Sequence, residues 1–237
     1  MNNPVWLSKT IHHLPKLLFF LCLPLIFWLA LGLSPKPLLF NTANASYAVT
    51  DKDGHLLRLS LTSDEKYRLW TPLPELPPAL LEATLHYEDR WFYWHPGINP
   101  IALIRAAGFS LINGQRKMGA STLTMQVARQ RWRLKTDTLI GKIKQMTYAV
   151  WLERHFSKAE ILTAYLNLAP YGANIEGVGA ASWLYFHRPP SELSLAQARA
   201  LALIPQNPKT RAPVTTAGTE NLRQVWRRVY GSRSDQN

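Results

Sequence analysis

The sequence predicts a mainly α-helical domain with one small β-hairpin and one N-terminal transmembrane helix. Three observations carry that prediction: an uncharged apolar run from Leu17 to Leu33, a succession of helix-start signals from Pro77 onward, and alternating apolar and polar residues confined to 46–70. With the membrane segment set aside, the 237-residue chain leaves one domain with enough sequence for a sizeable core.

The run LLFFLCLPLIFWLALGL carries no charge over 17 residues, about 25 Å as a helix. Leu38-Leu39-Phe40 extend it toward a bilayer's width, so residues 1–16 are expected to be a cytoplasmic tail and 17–40 an anchor. Lys9 and Lys16 favour an inside N-terminus, an asymmetry that Lys36 weakens. Ala43-Asn44-Ala45 resembles the processing site of a cleaved signal peptide, but it lies far from the apolar run, and the uncleaved anchor is preferred. The sole cysteine, Cys22, sits in this segment, which excludes an intrachain disulfide and a zinc site built on Cys; the seven His show no metal-ligand spacing.

Tyr47-Ala48-Val49-Thr50 and His55-Leu56-Leu57-Arg58-Leu59 flank Asp51-Lys52-Asp53-Gly54 and read as a hairpin, within a hairpin-and-linker unit at 41–75. From 76 to 213 the pattern is helical. Pro77-Pro78 opens ALLEATLHYEDRWF, with Leu80, Leu81, Thr84 and Leu85 on its apolar face. Asn99-Pro100 supplies a capping residue and a first-turn Pro for IALIRAAGFSLI, which Asn113-Gly114 stops. Ser121 is the expected cap of TLTMQVARQRW, and Asp137 that of TLIGKIKQMTYAVWLERHF. Ser157-Lys158-Ala159-Glu160 and Ser194-Leu195-Ala196-Gln197 read as capping boxes, and Pro205 ends the helix that the second one starts. Residues 214–237 read as a polar C-terminal tail with one short basic stretch, Leu222 to Tyr230.

Formal net charge is +12, and nine Lys or Arg fall between Arg105 and Lys144 against one acid, Asp137. Such a stretch faces phosphates of nucleic acid, lipid headgroups or a diphosphate substrate, or else is a solvated basic face. Glu88 and Asp89 end a helix inside EDRWFYWHPG. Adjacent acids are usually a solvated face, and Trp91 and Phe92 are ordinary core residues elsewhere. Aromatics around a carboxylate also exclude water, raise its pKa and offer stacking surface to sugar rings, which suits a general base or acid. Gly119-Ala120-Ser121-Thr122 is either a common helix start or, with Arg116, Lys117, Arg129 and Lys142, a cradle for a diphosphate. Lys142 and Gln145 share one helix face, and Glu153 is turned about 80° from Gln145 by the helical period. Hydrolysis of a glycoside usually takes two carboxyl groups. One carboxylate among many cations fits transfer from a lipid diphosphate better.

These segments resemble, in order, the five motifs of the family 51 peptidoglycan glycosyltransferases. EDRWFYWHPG is similar to the first, GASTLTMQVAR to the second and KIKQMTYAVWLER to the third. SKAEILTAYLNLAPYGANIEGVGAASWLYF is similar to the fourth and LSLAQARALALIPQNP to the fifth. Met125 and Gln145 are most similar to the glycosyltransferase half of penicillin-binding proteins of the 1C type. The resemblance implies a lysozyme-like helical domain, with a lobe partly embedded in the membrane, that polymerises lipid II into glycan strands. It places the chain in the bacterial inner membrane with a single pass and a periplasmic catalytic domain. Its partners would be lipid II, the growing strand, the membrane and cell-wall synthesis proteins, with no nucleic acid. Glu88 matches the general base and Gln145 the position of the second family carboxylate. Asp89, Phe92, His95, Gly97, Ser121, Thr122, Gln126, Arg129 and Lys142 match positions at the substrate site. No cofactor or dedicated metal site is implied, although a divalent cation assists some members.

Three departures stand out. Gln145 cannot ionise. An Arg that the family usually carries eight residues earlier is Asp137 here, with Lys135 near enough in sequence to replace the charge. Ser63-Asp64-Glu65-Lys66, the one Ser-x-x-Lys resembling a transpeptidase nucleophile, lies in the hairpin unit with no Ser-x-Asn or Lys-Thr-Gly to complete it, so no penicillin-binding domain is expected. The alternatives are a degenerate lipid-II-binding or scaffold protein and a lysozyme-like muramidase.

Overall fold

The hairpin forms where the alternation placed it. In the computed structural model, which describes residues 26, 28–39, 44–113 and 119–231, β1 (Ala48–Thr50) pairs antiparallel with β2 (Leu56–Leu59), with a bulge before Thr50. Asp51 closes the turn by accepting from the backbone N–H of Asp53 and of His55. Asp51, Asp53 and His55 are the only group of described His, Cys, Asp and Glu residues close enough to hold a metal ion, and hydrogen bonding within the turn accounts for their grouping.

A second sheet is absent from the expectations. Strands β3 (Tyr67–Arg68), β4 (Pro170–Gly172) and β5 (Ile175–Glu176) run in the order β3–β5–β4, with β3 parallel and β4 antiparallel to β5. Strands this short show no alternation, and β3 reaches its partner from over a hundred residues away. Arg68 Nε donates to Glu176 Oε1 at 2.6 Å, and Lys66 binds the other oxygen, so charge fastens β3 to β5.

Nine helices follow among the described residues: α1 (Pro78–Glu88), α2 (Pro100–Asn113), α3 (Leu123–Arg131), α4 (Leu139–His155), α5 (Lys158–Leu168), α6 (Val178–Phe186), α7 (Leu195–Leu203), α8 (Pro208–Arg211) and α9 (Thr216–Tyr230). Helix α3 is the axis of the domain. It packs on both α4 and α5, and every residue from Leu123 to Ala128 is buried. Each large apolar side chain so buried, here Leu123, Met125 and Val127, contributes about 1.5–3 kcal/mol. Helix α1 packs along α7 through the fully buried Leu80. Both capping boxes form, at Ser157 and Ser194, and Asn99 Oδ1 accepts from Ala102 N at 3.0 Å.

Four local expectations are corrected. The cap of α3 is Thr122, whose Oγ1 accepts from Met125 N, and not Ser121; that of α4 is Thr138, accepting from Gly141 N, and not Asp137. In each case the cap is the extended residue whose hydroxyl reaches an amide three positions on. Helix α1 stops at Glu88, because Asp89 leaves helical geometry (φ −158°, ψ 77°), and Phe92–Trp94 forms a separate 3-10 turn. The expected tail carries α9, packed on α7 and α8 with Leu222 and Tyr230 buried. Its stripe of Leu222, Val225, Trp226 and Val229 has helical spacing, masked in the sequence by the Arg residues between.

Part of the expected anchor, residues 17–25, 27 and 40, lies outside the described residues. No described helix is long and apolar enough to cross a membrane. Residues 28–39 run along the domain: Arg154 stacks over Trp28 at 3.6 Å, Trp151 Nε1 donates to Ser34 Oγ at 2.6 Å, and Arg131 Nε donates to Leu38 O at 2.9 Å.

Candidate active site

Helix α1 delivers Glu88 at its last turn, where α3 passes behind it. Gln126 Nε2, at the middle of α3, donates to Glu88 Oε2 at 2.8 Å, while Glu88 Oε1 is buried with no partner. Burial pushes the Glu88 carboxyl above its ordinary value; the Gln126 bond and the guanidiniums of Arg211 and Arg129 oppose the shift, and the neighbouring Asp89 charge adds to it. An unused carboxylate oxygen and a raised pKa are the features of a candidate general base. Glu88 opens on a cleft of about 620 Å³ whose walls include Asp89, Trp94, His95, Arg105, Ser121 and Thr122.

Asp89 is spent differently. It is buried; its oxygens accept from His95 Nε2 at 3.1 and 3.0 Å, and Oδ2 accepts from Leu123 N at 2.9 Å. The carboxylate therefore sits on the N-terminus of α3, where the dipole favours a negative charge, and ties the first motif to the second. Phe92 is wholly buried, edge-on to His95, with Lys158 Nζ 4.5 Å above its ring, and so offers no surface to a ligand. Trp91, Tyr93 and Trp94 are exposed instead. The desolvation of Glu88 thus comes from the interior side. Tyr165 and Tyr171, both buried, feel the Glu88 charge, and burial followed by that charge raises both phenols. Gly97 holds the loop at φ +89°, and its carbonyl accepts from Thr122 Oγ1 at 2.6 Å. A Cβ there would stand 2.7 Å from Ala149 O on α4, so only glycine lets loop and helix meet.

The cationic side is a chain of hydrogen bonds. Lys142 Nζ donates to Ser121 Oγ at 2.7 Å and to Gln145 Oε1 at 3.0 Å, and Gln145 Nε2 donates to Met125 O at 2.6 Å. Gln145 is 1% exposed. An ammonium on one side and a carbonyl on the other fix its orientation, since the amide accepts with its oxygen and donates with its nitrogen. Burial, then Arg129, lowers the Lys142 pKa. Arg129 is exposed on α3, and Arg116 and Lys117 lie outside the described residues. The donor set does not fit a divalent cation: Gln145 turns its oxygen to an ammonium, and Asp89 is occupied. Glu153, the remaining carboxylate of α4, accepts from Thr124 Oγ1 at 2.6 Å and from Lys158 Nζ at 2.7 Å.

Sequence reasoning passed over Arg211, Tyr165, Tyr171 and Lys158. Arg211 Nη1 donates to Tyr87 OH at 3.0 Å and to Leu203 O at 2.9 Å, placing a cation beside the residue that precedes Glu88. Its one signal was its position three residues after Pro208, just past the fifth motif. The tyrosines read as core, which they also are.

The transglycosylase family model matches residues 53–232. Over 204 residues the chain is 43% identical to penicillin-binding protein 1C of Escherichia coli (strain K12), covering 86% of this chain and 26% of that protein. Penicillin-binding protein 1A of the same organism is 37% identical over 150 residues, covering 63% of this chain and 18% of its own length. The chain thus spans about a quarter of the first relative and less of the second. The crystal structure of penicillin-binding protein 1A from Haemophilus influenzae superposes with a TM-score of 0.40 at 18% identity, covering 82% of this chain and 19% of that one; the family assignment does not rest on it.

Proposed function

Because the chain belongs to the transglycosylase family, we propose that it is a peptidoglycan glycosyltransferase that polymerises lipid II into glycan strands. The observation that carries this reading is the half-satisfied Glu88, held by Gln126 with its second oxygen buried and unpaired. Glu88 takes the proton of the acceptor's GlcNAc 4-hydroxyl as that oxygen bonds to C1 of the donor's MurNAc. The C1–phosphate bond breaks on the opposite face, the configuration inverts from α to β, and undecaprenyl diphosphate leaves with the electron pair. Lys142 and Arg129, with the Ser121 hydroxyl that Lys142 orients, stabilise the charge growing on the diphosphate. Protein cations fill that role without a resident metal.

Exposed Trp91, Trp94 and Ile101 flank the cleft mouth, with Arg90 and Arg105 beside them. Aromatic and aliphatic groups ringed by cations suit a lipid surface, and support placing the cleft against the bilayer that carries the substrate. An anchor at 17–40 would set the domain on the periplasmic face of the inner membrane. Hydrolysis is the weaker reading, since it usually calls for a second free carboxyl, and both Asp89 and Glu153 are committed to framework bonds. Incubating the detergent-solubilised chain with lipid II tests the proposal. Polymer with released undecaprenyl diphosphate is expected; cleavage of preformed glycan without polymerisation would mean a muramidase, and binding without turnover a scaffold.

A further inference from the structure

Glu88 stands at the wrong end of a helix for a negative charge. It lies in the last turn of α1, where the unsatisfied carbonyls carry the negative end of the dipole, and Asp89 adds a like charge beside it. Asp89 is compensated by His95 and by the N-terminus of α3. The Glu88 carboxylate has one hydrogen-bond partner among the described residues, the neutral Gln126 amide.

Two cations act on Glu88 at longer range, Arg211 and Arg129. Arg129 is exposed, so water screens it, whereas Arg211 is half-buried. The Arg211 guanidinium is also fixed in place. Its Nη1 donates to Leu203 O on the last turn of α7 at 2.9 Å and to Tyr87 OH at 3.0 Å, and Tyr87 OH donates in turn to Gln206 Oε1 at 2.9 Å. The Arg211 backbone N–H donates to Asn207 O at 3.0 Å, and α8 packs on β4, the strand that brings Tyr171 beneath Glu88. Among the described residues no carboxylate forms an ion pair with Arg211. Other neighbours cannot take its place. Burial keeps the phenols of Tyr165 and Tyr171 neutral, His86 and Arg90 are exposed, and Arg199, the one charged residue of α7, sits over the Tyr230 ring at 4.9 Å.

We propose that Arg211 is a positioning residue for the transfer reaction: clamped between the ends of α1 and α7, it is the counter-charge that keeps the Glu88 carboxylate ionised. A direct ion pair would occupy the oxygen that has to receive the acceptor's proton. A cation held at longer range favours the charge and leaves that lone pair open. The effect on rate rests on the reading of Glu88 as the base; the pairing of the two charges does not.

Two measurements on the full chain in detergent test this, with Arg211→Gln, which keeps an amide donor without the charge, and Arg211→Lys, which keeps the charge. In the pH profile of kcat/KM for lipid II polymerisation, the acid limb should move up by about half a pH unit or more in Arg211→Gln, about a threefold loss on that limb. It should stay within about 0.2 unit of the wild type in Arg211→Lys. A merely structural role would lower stability and rate in both variants without moving the limb. A double-mutant cycle of thermal melts with Glu88→Gln reads the pairing without activity. Coupling between positions 88 and 211 should be present at pH 8 and fade as the pH falls and Glu88 takes up its proton. No coupling at pH 8, an unmoved limb in Arg211→Gln, or an equal displacement in both variants would overturn the assignment. A wild type whose rate has no acid limb would remove the base reading, and the effect of Arg211 on rate with it, while the cycle still decides the pairing. Should Arg211→Gln fail to fold by circular dichroism, an upward displacement in Arg211→Lys would still overturn it.

Discussion

Two half-buried glutamates bond to α3 from different helices, and they are opposites. Glu153 on α4 shares one oxygen between Thr124 and Lys158, so its charge is compensated and its geometry closed. Glu88 at the end of α1 has one amide donor, one orphaned oxygen and a pKa raised by burial. The same side chain is framework in one place and, in the proposed reaction, reagent in the other. What separates them is how many of the lone pairs the fold has already used.

The comparison breaks most sharply at Glu88. Glu88→Gln should lower lipid II polymerisation by about a hundred- to ten-thousandfold, and near-wild-type turnover would remove the assignment. The same variant should be at least as stable as the wild type. With its folded pKa raised above the ordinary 4.5, the native state binds the proton more tightly than the unfolded chain, so stability falls as pH rises through that window. At neutral pH the wild type bears this cost and the amide does not, a difference that thermal melts between pH 5 and 8 would show. Polymerisation should fail in the other direction, as pH drops through the raised pKa and the base is protonated.

Lys142→Ala should slow polymerisation about ten- to a hundredfold, because a half-buried cation that orients the Ser121 hydroxyl is lost. Unchanged turnover and lipid-diphosphate affinity would mean that the cations there serve only the fold. Glu153→Gln sharpens the contrast from the other glutamate: stability should drop by about 1–3 kcal/mol, with kcat close to wild type in the folded fraction. A kcat loss as large as that of Glu88→Gln would erase the distinction between the two. Smallest is Gln145→Glu, expected to change the rate by less than about tenfold, ~1.4 kcal/mol in barrier. The new carboxylate would pair better with Lys142 but could no longer donate to Met125 O. An inactive wild type rescued by this substitution would instead point to a degenerate enzyme.

The sequence made local things legible. Capping boxes at Ser157 and Ser194 and the Asn99-Pro100 start could be read because every atom involved lies within one turn. The 80° between Gln145 and Glu153 rightly put them on different faces, one toward Met125 and the other toward Thr124. Which of Glu88 and Asp89 remained free could not be read from two adjacent letters, since the answer depends on Leu123 N, which arrives 34 positions later. The β3–β5–β4 sheet was hidden for the same reason. So was the enclosure of Glu88: Trp91, Tyr93 and Trp94 beside it in sequence turned outward, and the tyrosines beneath it came from α5 and β4.

Gly97 sets a limit on how this protein can vary. The gap between the first motif's loop and α4 is spanned by backbone on backbone, with no side chain available to shrink or swell when neighbours change. Core substitutions elsewhere can be absorbed by repacking, so the span from Glu88 to Lys142 can outlast considerable drift in the surrounding sequence. At position 97 even one added methyl group must widen it. The spacing between that loop and α4 is therefore written as a missing side chain, and a single codon, that of Gly97, keeps it.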